Sequence, residues 1–284
     1  MRMLLLLYLA LSTACTLTDR EGEKAVPQAM RSAPAVLGNT IETRFPRPEG
    51  YLHTTESPAG FGRYLRSLPL LPPGTPVHLY DGSLKANQTA HAAVIDLPIG
   101  RKNLHQCADA VMRLRADYLY HQERYEDIHF NFTNGFRVDY SKWRAGQRVR
   151  ITGNQTDWWA AGAPQTSDSD YWKYLELIFT YAGTASLSRE LKSVPLSEMR
   201  IGDVLIRGGH PGHAVIVVDM VVHPETGKRK FMLAQSYMPA QQLQVLRHPD
   251  LPVTNPWYDL RPGMPVRTPE WTFEANELKR FTEH

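Results

Sequence analysis

Cysteine is scarce in this sequence of 284 residues, since it occurs only at Cys15 and Cys107. A large excess of either charge is also missing, since there are 32 lysine and arginine residues and 29 aspartate and glutamate residues. So small a net charge argues against nucleic acid as a partner. Internal repeats are absent as well, and no apolar run is long enough to span a membrane.

The first fifteen residues form a secretory pattern. Arg2 supplies a positive charge, residues 3–11 form an apolar core, and small residues at 12–14 lead directly to Cys15. The apolar core is too short for a membrane-spanning helix. The pattern resembles a bacterial lipoprotein signal. That resemblance implies cleavage after residue 14, acylation of Cys15, and a place in the cell envelope on the periplasmic or outer-membrane face. The alternative is ordinary cleavage that leaves Cys15 as a plain thiol.

The rest of the chain divides into a tether and one domain. Residues 15–40 are rich in Thr, Glu, Lys, Ala, Pro and Ser and have no helical or strand period, which is typical of a linker. Residues 41–284 are long enough for a single domain with its own core. The fractions of hydrophobic residues (42%) and aromatic residues (10%) are those of a globular protein rather than a disordered one.

The hydrophobic pattern predicts an α+β fold, with a helical block packed on a mostly antiparallel sheet. Two of the strands, 213–222 and 230–237, are expected to pair antiparallel around Thr226 and Gly227. A loop-rich region is expected at 129–170, where glycine and asparagine recur. We expect helices at 57–68, 103–121, 171–181, 188–192 and 270–281, and strands at 77–80, 91–97, 204–206, 213–222, 230–237 and 243–246.

Cys107 follows Gln106 near the start of the long helix. The positive end of a helix dipole stabilises a thiolate, which is the reactive form of cysteine. If Cys15 carries lipid, Cys107 is an unpaired thiol in an exported protein, and such a thiol is a candidate nucleophile. The alternative is an inert core thiol, because Cys107 lies on the apolar stripe of its helix.

Two polar residues on the predicted sheet complete a candidate catalytic set. His213 follows Gly212 and begins a strand that is otherwise almost entirely apolar, so it is placed to deprotonate a neighbouring thiol. Gln235 lies on the next strand, where a polar side chain can orient the histidine ring as the third member of a triad does.

This order resembles the CHAP and related papain-like cell-wall cysteine hydrolases: Gln-Cys at a helix start, Gly-Asp plus apolar residues, Gly-His plus apolar residues, and a polar residue one strand later. The resemblance implies a papain-like fold and cleavage of amide bonds in peptidoglycan. It assigns Cys107 as nucleophile, His213 as base and Gln235 as the orienting residue, and it requires no cofactor. In the CHAP enzymes the orienting position is usually Asn or an acidic residue.

A second resemblance covers nearly all of residues 41–284. It is carried by four runs: Gln-Cys-Ala-Asp-Ala-Val-Met-Arg-Leu-Arg (106–115), His-Phe-Asn-Phe-Thr-Asn-Gly-Phe (129–136), Tyr-Ala-Gly-Thr-Ala-Ser-Leu (181–187) and Ala-Gln-Ser-Tyr-Met-Pro-Ala-Gln (234–241). These runs are similar to an uncharacterised lipoprotein family catalogued as domain of unknown function 4846. That family implies export and a single domain but supplies no activity.

Other polar residues have alternative interpretations. His91 begins a similar apolar run and is a rival base. Asp203, after Gly202, has the position of a turn residue that bonds nearby N–H groups. Trp158 and Trp159 would either stack on sugar rings or cover an edge of the core. No metal site is expected, because His210 and His213 lack a carboxylate and histidine cluster with ligand spacing.

The leading hypothesis is therefore an envelope-anchored cysteine peptidase or amidase that acts on cell-wall amide bonds, with peptidoglycan as its partner. The rival is a non-catalytic envelope lipoprotein that binds glycan or a protein through the tryptophan-bearing region 129–170.

Overall fold

The structure is a computed structural model that describes residues 38–252 and 255–282. The predicted signal, Cys15 and most of the predicted tether lie outside the described residues. In the part of the chain that is described, no helix is both long and apolar enough to cross a membrane. The first described helix begins at Ile41.

Helices and strands alternate along the chain. The helices are α1 Ile41–Arg44, α2 Phe61–Arg66, α3 Cys107–His121, α4 Tyr140–Arg144, α5 Asp168–Tyr181 and α6 Thr184–Glu190, with 3₁₀ turns at Tyr125–Asp127 and Leu196–Glu198. The strands are β1 Leu52–His53, β2 His91–Val94, β3 His129–Asn131, β4 Arg137–Asp139, β5 Gln147–Thr152, β6 Gln155–Ala160, β7 Lys192–Ser193, β8 Val204–Arg207, β9 His213–Val222, β10 Arg229–Gln235, β11 Gln244–Leu246, β12 Tyr258–Asp259, β13 Val266–Arg267, β14 Thr272–Phe273 and β15 Leu278–Arg280.

Nine of the described strands form one sheet in the order β2-β11-β10-β9-β8-β15-β7, with β1 pairing to β9 and β12 to β10. Every pairing in this sheet is antiparallel. The strands β8, β9 and β10 are its centre, and β9 is buried along almost its whole length. The predicted α+β class with a large antiparallel sheet is therefore confirmed.

The β9–β10 hairpin forms as predicted. Residues of β9 are apolar apart from His213 and Asp219, so the strand is stable only when both of its faces are covered. The chain reverses between β9 and β10 where the N–H of His223 donates to the carbonyl of Lys228 at 2.8 Å. Gly227 has a φ of +68° in this turn, a conformation that glycine adopts without steric cost.

Helix α3 lies against β9 and β10 on one side and against α2, α5 and α6 on others. Every residue from position 108 to 119 is buried. The sequence predicts one apolar stripe on this helix, and the structure buries the other faces as well. Two of the buried charged residues of this helix are paired: Arg113 Nε lies 3.2 Å from Asp117, which also accepts a hydrogen bond from Tyr171 at 2.8 Å. Such pairing lets charged side chains enter a core.

The predicted closing helix at 270–281 is wrong. The segment forms β14 and β15 instead, and β15 pairs with both β8 and β7. Phe273 and Leu278 are fully buried by these strands. A short apolar pattern fits a helix or a strand, and here the open edge of β8 decides between them because pairing satisfies its backbone groups.

The region 129–170 is more regular than predicted. It contains the hairpins β3–β4 and β5–β6, joined through α4. Gly135 and Gly153 have φ values of +90° and +61°, so the residues predicted as loop breakers lie in the hairpin turns. The expected strand at 77–80 is also wrong, because only the isolated bridges His78–Leu84 and Leu79–Gln241 form there.

Several predicted helix boundaries are displaced. Helix α2 begins at Phe61 rather than residue 57, and α3 begins at Cys107 rather than residue 103. Helix α5 begins earlier than expected, at Asp168, because the hydroxyl of Ser167 accepts the N–H of Asp170 as an N-cap. The helix expected at 188–192 begins and ends earlier than predicted, at Thr184–Glu190.

Candidate active site

Cys107 is the first helical residue of α3. The preceding Gln106 has an extended backbone (φ −92°, ψ −165°), and its N–H donates to the Asp109 carboxylate at 2.9 Å. An acidic side chain at this third helical position satisfies the backbone donor before the helix and fixes the helix start. Cys107 is partly exposed, whereas its neighbours from Ala108 onward are buried. Cys107 therefore lies at the end of the buried part of the helix.

The Cys107 sulfur lies beside strand β9 and the loop that follows β10. The backbone N–H of Ala214, directly after His213, faces the sulfur and lowers the pKa of the thiol. Burial of the thiol raises its pKa more strongly, and the nearby Asp109 carboxylate adds to the increase. Together they bring the pKa of Cys107 to about 11. Cys107 also contributes to a raised pKa of Tyr237. The resting cysteine is thus a neutral thiol at pH 7.

His213 begins β9 and is 1% exposed. Its Nε2 lies 2.8 Å from Oε1 of Gln235 on β10, so a hydrogen bond joins the two strands here. The ring centroid lies 4.7 Å from that of Tyr237 and 5.3 Å from that of Trp271. Burial lowers the pKa of His213 to about 4, although the bond to Gln235 opposes the shift. At pH 7 the ring is therefore neutral and able to accept a proton.

Two hydrogen bonds tie the start of α3 to the end of β10. The hydroxyl of Ser236 lies 2.7 Å from the carbonyl of His105, two residues before Cys107. The N–H of Ala240 donates to Oδ1 of Asn103 at 2.8 Å. Because Ser236 directly follows Gln235, these bonds bring the helix start to the same end of the sheet as His213 and Gln235.

The structure thus places all three predicted residues at one end of the sheet. It joins His213 to Gln235 by a hydrogen bond and places Cys107 against the backbone next to His213 and close to Tyr237. Tyr237 was not singled out from the sequence. Its position two residues after Gln235 was the available signal, since a strand that supplies one site residue often ends at the site.

Glu270 and Lys85 also reach this site, and sequence reasoning missed both. Gln235 Nε2 donates to Glu270 Oε2 at 2.8 Å, and Lys85 Nζ lies 2.8 and 2.6 Å from the two oxygens of Glu270. No local pattern marks either residue. Glu270 fell in the segment predicted to be a helix, and Lys85 lies outside the helices and strands.

The alternative residues bind other partners. His91, the rival base, has its Nε2 at 3.2 Å from the carbonyl oxygen of Thr75, within hydrogen-bond distance. Asp203 is a turn residue, as predicted, and accepts the N–H of Arg200 at 2.8 Å. It also binds Arg280 through both oxygens, at 2.6 and 2.8 Å.

The two adjacent tryptophans of β6 differ in exposure. Trp158 packs near Phe136, with ring centroids 6.1 Å apart, and lies under the Lys142 ammonium at 5.6 Å. Trp159 is 47% exposed. Adjacent residues of a strand point to opposite faces, so one tryptophan covers the core and the other faces solvent.

A cavity of about 920 Å³ lies toward the opposite end of β9 from His213, where it is lined among others by Thr54, Gly202, Asp203 and Met220. Its volume suits a ligand. It contains none of the predicted catalytic residues. Among residues 38–252 and 255–282, no group of three or more His, Cys, Asp or Glu side chains is arranged to hold a metal ion.

Comparison with known proteins adds one match. The family model described as "Domain of unknown function (4846)" matches residues 41–280. No curated protein and no solved structure matches the chain.

Proposed function

Because the chain belongs to the family described as domain of unknown function (4846), whose description names no activity, we propose its function from the site itself: an envelope-anchored cysteine hydrolase that cleaves an amide bond of the cell wall. The observation that carries the proposal is the position of Cys107. It starts a helix against the backbone of Ala214, next to a histidine whose Nε2 is held by Gln235.

The proposed reaction uses His213 as a general base. Because Nε2 of His213 is engaged by Gln235, Nδ1 is the nitrogen left to accept the Cys107 proton as the sulfur attacks the substrate carbonyl. The S–C bond forms and the carbonyl π electrons move to oxygen. The first N–H groups of a helix have no partners within the helix, so those at the start of α3 stabilise the oxyanion.

Collapse of this intermediate breaks the C–N bond, and the His213 imidazolium gives its proton to the leaving amine. Water then attacks the thioester while His213 accepts a proton from it. The C–S bond breaks, the proton returns to sulfur, and a carboxylic acid is released. Atoms and protons balance without a cofactor.

The pKa directions define the resting state of the pair. Burial raises the pKa of Cys107 to about 11 and lowers that of His213 to about 4, so neither group is charged at pH 7. The proposed enzyme therefore rests as a neutral thiol and imidazole rather than as a preformed ion pair. Proton transfer then accompanies the attack on the carbonyl.

The order of elements supports a papain-like arrangement. The nucleophile begins a helix, the base begins a strand that follows it in sequence, and the orienting residue lies on the adjacent strand. The family-level α+β layout is compatible with this proposal.

Export and anchoring belong to the same proposal. The sequence of residues 1–15 supports a signal that ends in a lipid on Cys15, and residues 16–40 would tether the domain to the membrane. An anchored cysteine hydrolase of the envelope meets peptidoglycan, whose peptide crosslinks are amides.

A second candidate is a non-catalytic lipoprotein that binds glycan. It is favoured by the exposed Trp159 on the β5–β6 hairpin, because tryptophan rings stack on sugar faces. In that case Cys107 has no reaction to perform.

One experiment separates the two candidates. Purified peptidoglycan fragments are incubated with the full-length protein in ¹⁸O-water, and the products are analysed by mass spectrometry. Hydrolysis places one ¹⁸O in a new carboxyl group, and Cys107→Ala removes this product. Fragment binding without any labelled product would reject the hydrolase and leave the binding lipoprotein.

A further inference from the structure

Three side chains from distant parts of the sequence, Gln235, Glu270 and Lys85, are joined in a continuous series of hydrogen bonds that begins at His213. His213 Nε2 lies 2.8 Å from Gln235 Oε1, Gln235 Nε2 lies 2.8 Å from Glu270 Oε2, and Glu270 binds Lys85 Nζ through both oxygens. Gln235 is 1% exposed, and the side chains of Lys85 and Glu270 are 5% and 15% exposed, so these hydrogen bonds are largely shielded from water.

In the described part of the chain, every hydrogen-bond partner of the Glu270 carboxylate is a donor. Besides Lys85 and Gln235, Asn87 Nδ2 donates to Oε1 at 3.1 Å. A carboxylate that pairs with an ammonium accepts hydrogen bonds but does not donate them. Burial lowers the pKa of Lys85, and its contacts with Glu270 oppose that shift.

This arrangement restricts the amide of Gln235 to one orientation. If the amide flipped, its oxygen would face the Glu270 carboxylate, and two acceptors would meet in a buried place without a proton between them. In the orientation that remains, the amide oxygen faces the histidine ring. That oxygen needs a donor, and His213 can provide one only if Nε2 carries its proton.

We propose that the Lys85–Glu270 ion pair fixes the Gln235 amide and thereby keeps the proton of His213 on Nε2, so that Nδ1 is left as the basic nitrogen. Lys85 and Glu270 act as positioning residues, since they touch neither the thiol nor the ring. The assignment of the tautomer stands on the hydrogen bonds alone. Its use in catalysis rests on the proposed function.

The first test needs no substitution. The full-length protein is labelled with ¹⁵N-histidine, and long-range ¹H–¹⁵N correlation spectra at pH 7.5 distinguish protonated from bare ring nitrogens. The His213 signals are those lost in His213→Gln. We expect a protonated Nε2 and a bare Nδ1. A proton on Nδ1, alone or together with Nε2, overturns the proposal.

Substitutions then test the role of the ion pair. Glu270→Gln introduces an amide that either accepts from or donates to Gln235, so both amide orientations become favourable. We expect the single Nε2–H signal to be lost and replaced by a mixture of both tautomers. The double variant Gln235→Glu/Glu270→Gln exchanges the two groups, places a pure acceptor beside the ring, and should restore the single tautomer.

Controls keep the test decisive. Glu277→Gln removes another carboxylate that pairs with a basic side chain, Arg207 at 2.6 Å, and should leave the His213 signals unchanged. If Glu270→Gln does not fold because Lys85 is left charged and buried, Lys85→Met/Glu270→Gln replaces the pair with neutral groups and should give the same mixture. An unchanged single tautomer in a folded variant that lacks Glu270 overturns the proposal.

Activity is scored separately from the tautomer. If the tautomer changes as expected but the wild type cleaves no peptidoglycan, the proposed function fails and the positioning role stands. If the wild type cleaves peptidoglycan but the tautomer is unaffected by loss of Glu270, the positioning role fails and the hydrolase stands.

Discussion

Nε2 of His213 lies 2.8 Å from Oε1 of Gln235, across the neighbouring strands β9 and β10. The antiparallel register of these strands brings the two residues together although 22 positions separate them in the sequence. In the proposed mechanism this hydrogen bond decides which ring nitrogen accepts the Cys107 proton, and the chemical predictions depend on it.

Loss of either member of the catalytic pair should abolish hydrolysis. We expect Cys107→Ala and His213→Ala each to lower kcat/KM on peptidoglycan fragments by about 10³-fold or more, with the double variant no worse than either single variant, because the two residues act as a unit. Trp159→Ala is the matched control, since its exposed ring lies on a separate hairpin. Additive losses in the double variant would contradict a shared step.

The reactivity of Cys107 should rise steeply with pH. The thiolate is the form that alkylates, and burial raises the pKa of this thiol to about 11. In a Cys15→Ser background, the rate of iodoacetamide modification should therefore increase about tenfold per pH unit from pH 7 to pH 10. Unfolding in urea should accelerate the reaction at pH 7.5, because the ordinary pKa is then restored. A rate that is already maximal at pH 7 would instead indicate a preformed thiolate.

His213 should make the folded state sensitive to acid. Its pKa is about 4 in the folded protein, below the ordinary value of 6.5, so the unfolded chain binds one more proton between these pH values. The contribution of this ring to the free energy of unfolding is complete above pH 6.5. It is lost at up to about 1.4 kcal/mol per pH unit as the pH falls toward 4.

Urea denaturation of wild type and His213→Gln over pH 4–8 measures this contribution as a difference. Glu190 is a control whose effect on stability has the opposite dependence on pH. Burial raises its pKa to about 7, so its carboxylate destabilises the folded state increasingly as the pH rises from about 4.5 to 7. Glu190→Gln should remove this destabilisation. A difference between wild type and His213→Gln that does not vary with pH would show that the ring is not buried in its neutral form.

The buried ion pair between Arg66 and Asp219 should be important for stability. Arg66 Nε lies 2.5 Å from Asp219 Oδ1, and both side chains are nearly inaccessible. Arg66→Met leaves the carboxylate buried without its main partner, so the free energy of unfolding should fall by about 3–5 kcal/mol. The surface pair Arg150–Asp157 is the control, and Arg150→Met should change stability by less than about 1 kcal/mol. Equal effects of the two substitutions in urea denaturation would contradict the predicted role of burial.

Cys15→Ser should release the protein from the membrane. Acyl chains provide most of the membrane affinity of a lipoprotein, and a serine cannot carry them through a thioether. Fractionation followed by immunoblotting measures the shift from the membrane pellet to the soluble fraction, with Cys107→Ser as the matched control that stays in the pellet. A wild-type protein that is already soluble would exclude the anchor.

The sequence by itself was enough to predict the elements that depend on local pattern. The run from His213 to Val222 is apolar after a polar first residue, and a glycine-containing turn separates it from a second apolar run, so the β9–β10 hairpin followed from the sequence. The start of α3 was predicted less sharply. The helix pattern extended back to residue 103, and only the bond from the Gln106 N–H to Asp109 fixes Cys107 as the first helical residue.

Only the tertiary structure decided the features that depend on distant partners. Residues 270–281 carry a pattern that fits either helix or strand, and the unpaired edge of β8 selects the strand. Lys85 and Glu270 are 185 positions apart, and no local preference of either residue indicates that they meet behind Gln235. A buried charge is stable only beside its counter-charge, and that partner is set by how the chain packs rather than by neighbouring residues in the sequence.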